Sequence, residues 1–254
     1  SLILSNYYGV LHKSSNEYQI SFLKEQNSIF EISQTHKFEF AIWDIDFVQG
    51  TLNEKLVVLT DHSIRFYQID DFDQSNEVDL GDWFFQIIGS TASIIAVGNT
   101  IGDIILINLS SKCSIQRIDW AHDNAISTLL FINQKNMILC SGSKDCFKFW
   151  DLSKSTQYPI YTFDTSKKWV YDSVYDPSIL SIMINIEGKF FSHNFFSLSK
   201  DKIIEKKFNL FDENTTSTAS HPNNQNIYIA SINGSVYSLA KTSITSLEKD
   251  SPDK

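Results

Sequence analysis

His122, Ser141, Ser143 and Asp145 fall in one stretch of the chain. They are the residue types of a hydrolytic triad, in which a hydroxyl attacks a carbonyl, an imidazole takes its proton and a carboxylate orients the ring. Asp44 and Asp46 flank Ile45 on one face of an apparent strand. Paired carboxylates at that spacing can do acid–base work, but here they are expected to face a channel or solvent. The 6 histidines, at 12, 36, 62, 122, 193 and 221, have no companion at metal-ligand spacing. Cys113, Cys140 and Cys146 show no Cys-x-x-Cys pair, so Cys140 and Cys146 read as buried free thiols of a reducing compartment. No Gly-x-x-x-x-Gly-Lys-Ser/Thr, Gly-x-Gly-x-x-Gly or Gly-x-Ser-x-Gly motif occurs. No catalytic group, metal or cofactor is therefore expected.

Composition narrows the partners. The net charge of −9 opposes a basic face gripping nucleic acid unaided, and Arg65 and Arg117 are the only arginines. The basic runs 166-SKK-168 and 205-EKK-207 are short enough to be solvated surface. No apolar run approaches the length of a membrane helix. Asn-x-Ser/Thr triplets at Asn108, Asn214 and Asn233 carry no meaning in a reducing compartment.

The elements that must position these residues repeat. A form of apolar strand, polar turn and apolar strand recurs at 2–15, 55–69, 94–109, 136–152, 179–196 and 226–240. The residue read as preceding each second strand is Gly9, His62, Gly102, Cys146, Gly188 and Gly234, and successive gaps run from 40 to 53 residues. Glycine there suits a tight turn with positive φ. A further strand precedes the hairpin at 40–48, 83–89, 125–132, 169–176 and, more weakly, 215–222. Outer strands follow at 115–119, 160–164 and 202–208. Four short strands per unit at a period in the forties predict an all-β fold, a β-propeller with little helix. Six blades are visible and a seventh stays open. A single domain over 1–254 is expected, a fragment of a longer chain with its first blade incomplete.

The stretch 119-DWAHDNAISTLLFINQKNMILCSGSKDCFKFWDL-152 resembles a WD40 repeat. The resemblance implies that His122, a strand hydroxyl (Ser141 or Ser143), Asp145 and Trp150 form a structural tetrad rather than a triad. Buried indole, imidazole and carboxylate groups need such partners, and together they tie a loop to its strands. The other units lack a terminal Trp-Asp and end in Tyr67-Gln68, Ile107-Asn108, Phe195-Phe196 and Tyr237-Ser238. Apolar packing is expected to hold them.

A narrower likeness is carried by 41-AIWDIDF-47, 120-WAHDNAISTLLF-131, 148-KFWDLSKSTQYPI-160, 169-WVYDSVYDP-177 and 216–240. In layout these are similar to the WD40 subunits of RNA polymerase III transcription factor IIIC (the tau-91 type). That resemblance implies a non-catalytic, nuclear scaffold subunit in the B-box promoter-binding part of the complex. Its partners would be a second WD40 subunit and a large DNA-binding subunit, with DNA held indirectly and no membrane involved. A WD40 adaptor of another intracellular complex, with the cytoplasm as the alternative location, fits the same features. An enzyme resembling the diphthine methyl-ester hydrolases is the third reading, on 120-WAH-122 alone.

In a propeller the wider binding face carries the loops entering the first strand of each blade. Trp43 and Tyr171 share one repeat position there, one past the first apolar residue of the strand (Ile42, Val170), and Trp83 and Trp169 lie within one residue of that apolar position. They are candidate partner anchors, though packing between blades suits the same positions. The acidic segment 70-DDFDQSNEVDLGD-82 reads as an exposed loop able to meet a basic partner.

Overall fold

The computed structural model describes residues 2–4, 7–13, 17–26, 29–48, 55–68, 72, 74–81, 85–91, 93–109, 114–133, 137–154, 158–176, 181–187, 189–194, 205–208, 215–220, 226–231 and 236–240. They form 23 strands and, among the described residues, no helix. The fold is all-β: five four-stranded sheets and one three-stranded sheet, each an antiparallel meander, with no sheet closed on itself among the described residues.

The chain divides into two units, Ser1–Leu129 and Leu130–Lys254. The first sheet of the first unit contains Leu2–Leu4 (β1), Tyr7–Lys13 (β2), Tyr18–Gln26 (β3) and Ile29–Phe38 (β4). The second contains Asp44–Val48 (β5), Lys55–Leu59 (β6), Ser63–Gln68 (β7) and Gln74–Asp79 (β8). The third contains Phe85–Ser90 (β9), Ile94–Asn99 (β10), Ile104–Asn108 (β11) and Ser114–Ile118 (β12).

Thr128–Asn133 (β13) opens a fourth sheet, continued by Ile138–Gly142 (β14), Cys146–Asp151 (β15) and Tyr161–Asp164 (β16). The fifth contains Val170–Asp176 (β17), Ser181–Ile186 (β18), Lys189–Asn194 (β19) and Glu205–Phe208 (β20). The sixth contains Thr215–Ser220 (β21), Asn226–Ser231 (β22) and Val236–Ala240 (β23).

Inner strands such as β6, β10 and β14 are near-continuous apolar runs because both their faces are covered. Every residue of β10 and β14 is buried, whereas edge strand β16 alternates half-buried and exposed. In the first unit Ile20, Phe22 and Phe38 meet Ile45, Phe47, Val58 and Tyr67. The other face of the second sheet sets Val57, Leu59, Ile64 and Phe66 against Phe85, Ile95, Val97 and Ile107. In the second unit Cys140, Phe147 and Phe149 pack with Val170, Ile182 and Ile184. Each fully buried Leu, Ile or Phe contributes about 1.5–3 kcal/mol through removal from water. Asp172 adds a polar tie between sheets, its Oδ2 accepting Thr218 N–H at 2.6 Å and Thr218 Oγ1–H at 3.1 Å.

Gly102 occupies the β10–β11 turn at φ 96°, and a Cβ there would stand 2.1 Å from the His122 carbonyl oxygen. Only glycine fits. Gly9 does not play the turn role expected of it. It lies within β2, opposite both Leu2 and Phe22, and the first sheet's central hairpin is β2–β3. The run 17–38, which carried no expectation, supplies β3 and β4. The acidic segment 70–82 is likewise no simple loop, since residues 74–79 are β8, with Arg65 opposite Glu77. Charge suits that place, because an edge strand is protected from further pairing by polar side chains. Gly188 and Gly234 lie outside the described residues.

Candidate functional site

In the fourth sheet Trp150 is buried on β15 and donates its Nε1–H to Ser141 Oγ on β14 at 2.8 Å. Register explains the contact: Trp150 lies opposite Leu139 and Ser141 opposite Lys148, so indole and hydroxyl are diagonal neighbours on one sheet face. Ser141 is fully buried. A hydroxyl placed so, accepting an indole proton, holds strands together and presents nothing to a substrate.

Asp145, in the β14–β15 turn, accepts from Cys146 Sγ–H at 2.8 Å and lies 3.9 Å from Lys148 Nζ. Burial, and then Asp145, push the Cys146 thiol up to about 12, and burial raises that of Cys140 as well. Both stay neutral thiols at physiological pH, the state without nucleophilicity. Cys113 lies outside the described residues. His122 is buried in the first unit, where its backbone N–H donates to Gly102 O at 2.9 Å. The neighbouring Ser143 is buried too.

The anchor candidates divide by exposure. Trp43, immediately before β5, and Tyr171, on β17, are each 45% exposed. Trp169 is half-buried, and Trp83 lies outside the described residues. Backbone hydrogen bonds fix where these side chains emerge. Trp43 N–H donates to Leu59 O at 2.9 Å, and its indole N–H donates to Asp61 Oδ1 in the β6–β7 turn. Trp169 and Glu187 clasp each other through Trp169 N–H to Glu187 Oε1 and Glu187 N–H to Trp169 O, both 3.2 Å. In each unit, then, a segment entering the first strand of a sheet is held against that sheet's central turn, and its aromatics are presented from a fixed backbone.

Trp120 was missing from the anchor candidates. It is 79% exposed, its backbone sits at φ 54°, and its N–H donates to Asp103 Oδ1 at 2.9 Å. Asp103 is itself buried, with Arg117 Nη2 at 3.4 Å. The signal was present, since 119–127 also leads into the first strand of a sheet, as the segments holding Trp43 and Trp169 do.

Asp44 and Asp46 are half-buried on one face of β5, and each accepts the next residue's N–H, from Ile45 at 2.9 Å and from Phe47 at 2.8 Å. Desolvation raises Asp46 to about 6 despite hydrogen bonds from Ser90 and Phe47. Its neighbours tie β5 to β9, because Ser90 Oγ also donates to Phe47 O at 2.8 Å.

Compared with known proteins, the chain matches no family model, and no curated protein resembles it significantly.

Proposed function

We propose that this chain is a WD40-like β-propeller acting as a non-catalytic docking scaffold for other proteins. The observation that carries the reading is the pair Trp43 and Tyr171, at one repeat position in two different units and each 45% exposed. Large aromatics on rigid backbone lose little entropy on association and are favoured interface anchors. Support for the propeller comes from the serial meander sheets, which pack face to face in chain order within the first unit. The complex we propose is the promoter-binding part of transcription factor IIIC, on the motif layout of 41–47, 120–131 and 148–160. A net charge of −9 favours a protein-docking body, with DNA contacted by other subunits.

Affinity capture of the tagged chain from nuclear extract, beside a Trp43→Ala/Tyr171→Ala variant, tests both levels. Recovery of transcription factor IIIC subunits, reduced more than about 30-fold in the variant, is the expected result. A different complex, lost equally in the variant, would discard the narrower identity and keep the scaffold. Isolation of the chain alone, with ester hydrolysis measured in the same eluate, would replace the scaffold with the enzyme reading.

A further inference from the structure

The first unit contains a pocket of about 350 Å³ beside Trp43, bounded by residues 40–41, the β6–β7 turn and the edge strand β8. That volume lies at the low end of ligand sites and suits one or two side chains. Three carboxylates line it, Asp61, Glu77 and Asp79, against one cation, Arg65.

The cation is already engaged. Arg65 Nε donates to Glu77 Oε1 at 3.1 Å, and the guanidinium lies 4.1 Å from the Phe40 ring centre. Ser63 Oγ donates to the same Glu77 oxygen at 2.6 Å. Asp61 and Asp79 are left with their charge. Asp61 Oδ1 accepts the Trp43 indole N–H, and Asp79 Oδ1 accepts Gly81 N–H at 2.8 Å. Neither has a cationic partner among the described residues, and each keeps a second carboxylate oxygen.

The aromatic faces beside these carboxylates already take cations. Besides Arg65 on Phe40, Lys13 Nζ stands 5.4 Å from the ring centres of both Trp43 and Tyr18. An aromatic face next to an anionic oxygen is the environment that holds a guanidinium or ammonium group. An anionic ligand would meet two uncompensated aspartates and an arginine already paired.

We propose that this pocket receives an arginine or lysine side chain from a basic segment of a protein partner, with Asp61 and Asp79 taking its charge. This rests on the docking reading above and adds the chemistry of what docks. Arginine fits better than lysine, since its planar fork can give a carboxylate two parallel N–H donors.

Fluorescence anisotropy of the full chain with a labelled Gly-Arg-Gly-Lys-Gly-Arg-Gly peptide, and with the same peptide carrying Glu at the basic positions, tests the assignment. The basic peptide is expected to bind and to weaken with added salt, and the acidic one to stay free. Asp61→Asn/Asp79→Asn, which preserves shape, should weaken binding by about tenfold. Equal or tighter binding of the acidic peptide would overturn the proposal and make Arg65 the receptor of an anion. Absence of binding by either peptide, or affinity unchanged in the double variant, would also overturn it. A complex captured from extract and retained by Asp61→Asn/Asp79→Asn, yet lost with Trp43→Ala/Tyr171→Ala, would sink the pocket alone and leave the scaffold standing.

Discussion

The second and fourth sheets place different residues at one position and hold them by different means. Trp150 on β15 lies opposite Leu139, and Tyr67 on β7 lies opposite Leu56. Two residues along the neighbouring strand stands Ser141 in one sheet and Val58 in the other, both fully buried. Ser141 accepts the indole proton, whereas Val58 offers no acceptor. Tyr67 instead joins an aromatic cluster, stacked on Phe72 at 5.1 Å and edge-on to Phe38 at 5.6 Å. The backbone is common to both sheets. The central turn is closed by Thr60 N–H to Ser63 O at 2.9 Å in one, and by Ser143 N–H to Cys146 O at 3.1 Å in the other. The repeated sheet is thus specified by turn and strand pattern, and a polar lock or an aromatic cluster can complete it.

Breaking the aromatic cluster should have the largest effect. Phe22 is 1% exposed and touches Phe47 and Phe72, with ring centres at 6.3 and 5.7 Å. Phe22→Ala is expected to cost about 4 kcal/mol, read as a fall in the urea midpoint at unchanged slope. A loss below about 1 kcal/mol would mean that these rings do not hold the first two sheets together.

The polar lock sharpens the contrast. Trp150→Phe leaves a buried Ser141 hydroxyl without the indole donor and should cost about 2 kcal/mol, whereas Tyr67→Phe keeps its ring contacts and should cost under about 1 kcal/mol. Equal costs for the two Phe substitutions, by the same urea titration, would erase the distinction between the sheets.

Much of this architecture was legible because alternating apolar residues and tight turns are local signals. The hairpins at 55–69 and 94–109 turn at His62 and Gly102 as expected, whereas in 136–152 Cys146, read as the turn residue, already opens β15 and the turn falls just before it. The first sheet was misjudged because Gly9 resembles a turn residue while sitting mid-strand, although Tyr18, Ile20 and Phe22 alternate as a half-buried strand should. Strand β8 was hidden by its acidic side chains, which its edge position and the pairing of Arg65 with Glu77 explain. The candidate site was legible in its anchors and not in its chemistry. Trp43 stands out by repeat position, but the pocket beside it gathers Phe40, Asp61, Arg65 and Asp79 from four segments. Their meeting depends on cross-strand register, which no single stretch encodes.

Two aspartates extend the comparison to pH. In the fourth sheet Lys154 Nζ, 2.8 Å away, and Ser153 hold Asp151 below the usual carboxylate range. The stability it contributes is present above its unfolded pKa and lost as pH falls. Asp46 on β5 behaves in the opposite sense, its folded value being raised from 3.8 to about 6 by burial. Between those values the folded chain binds more protons than the unfolded one, so the contribution of Asp46 is full below pH 4 and declines as pH rises through about 6. That difference corresponds to a loss of at most about 3 kcal/mol between pH 4 and pH 7. Asp46→Asn should abolish that decline, making the variant relatively more stable at pH 7 than at pH 4 when urea midpoints are compared with those of the unaltered chain. Asp151→Asn should remove the opposite slope at lower pH. A decline between pH 4 and 6 that survives Asp46→Asn would assign it to another group and return β5 to a purely apolar account.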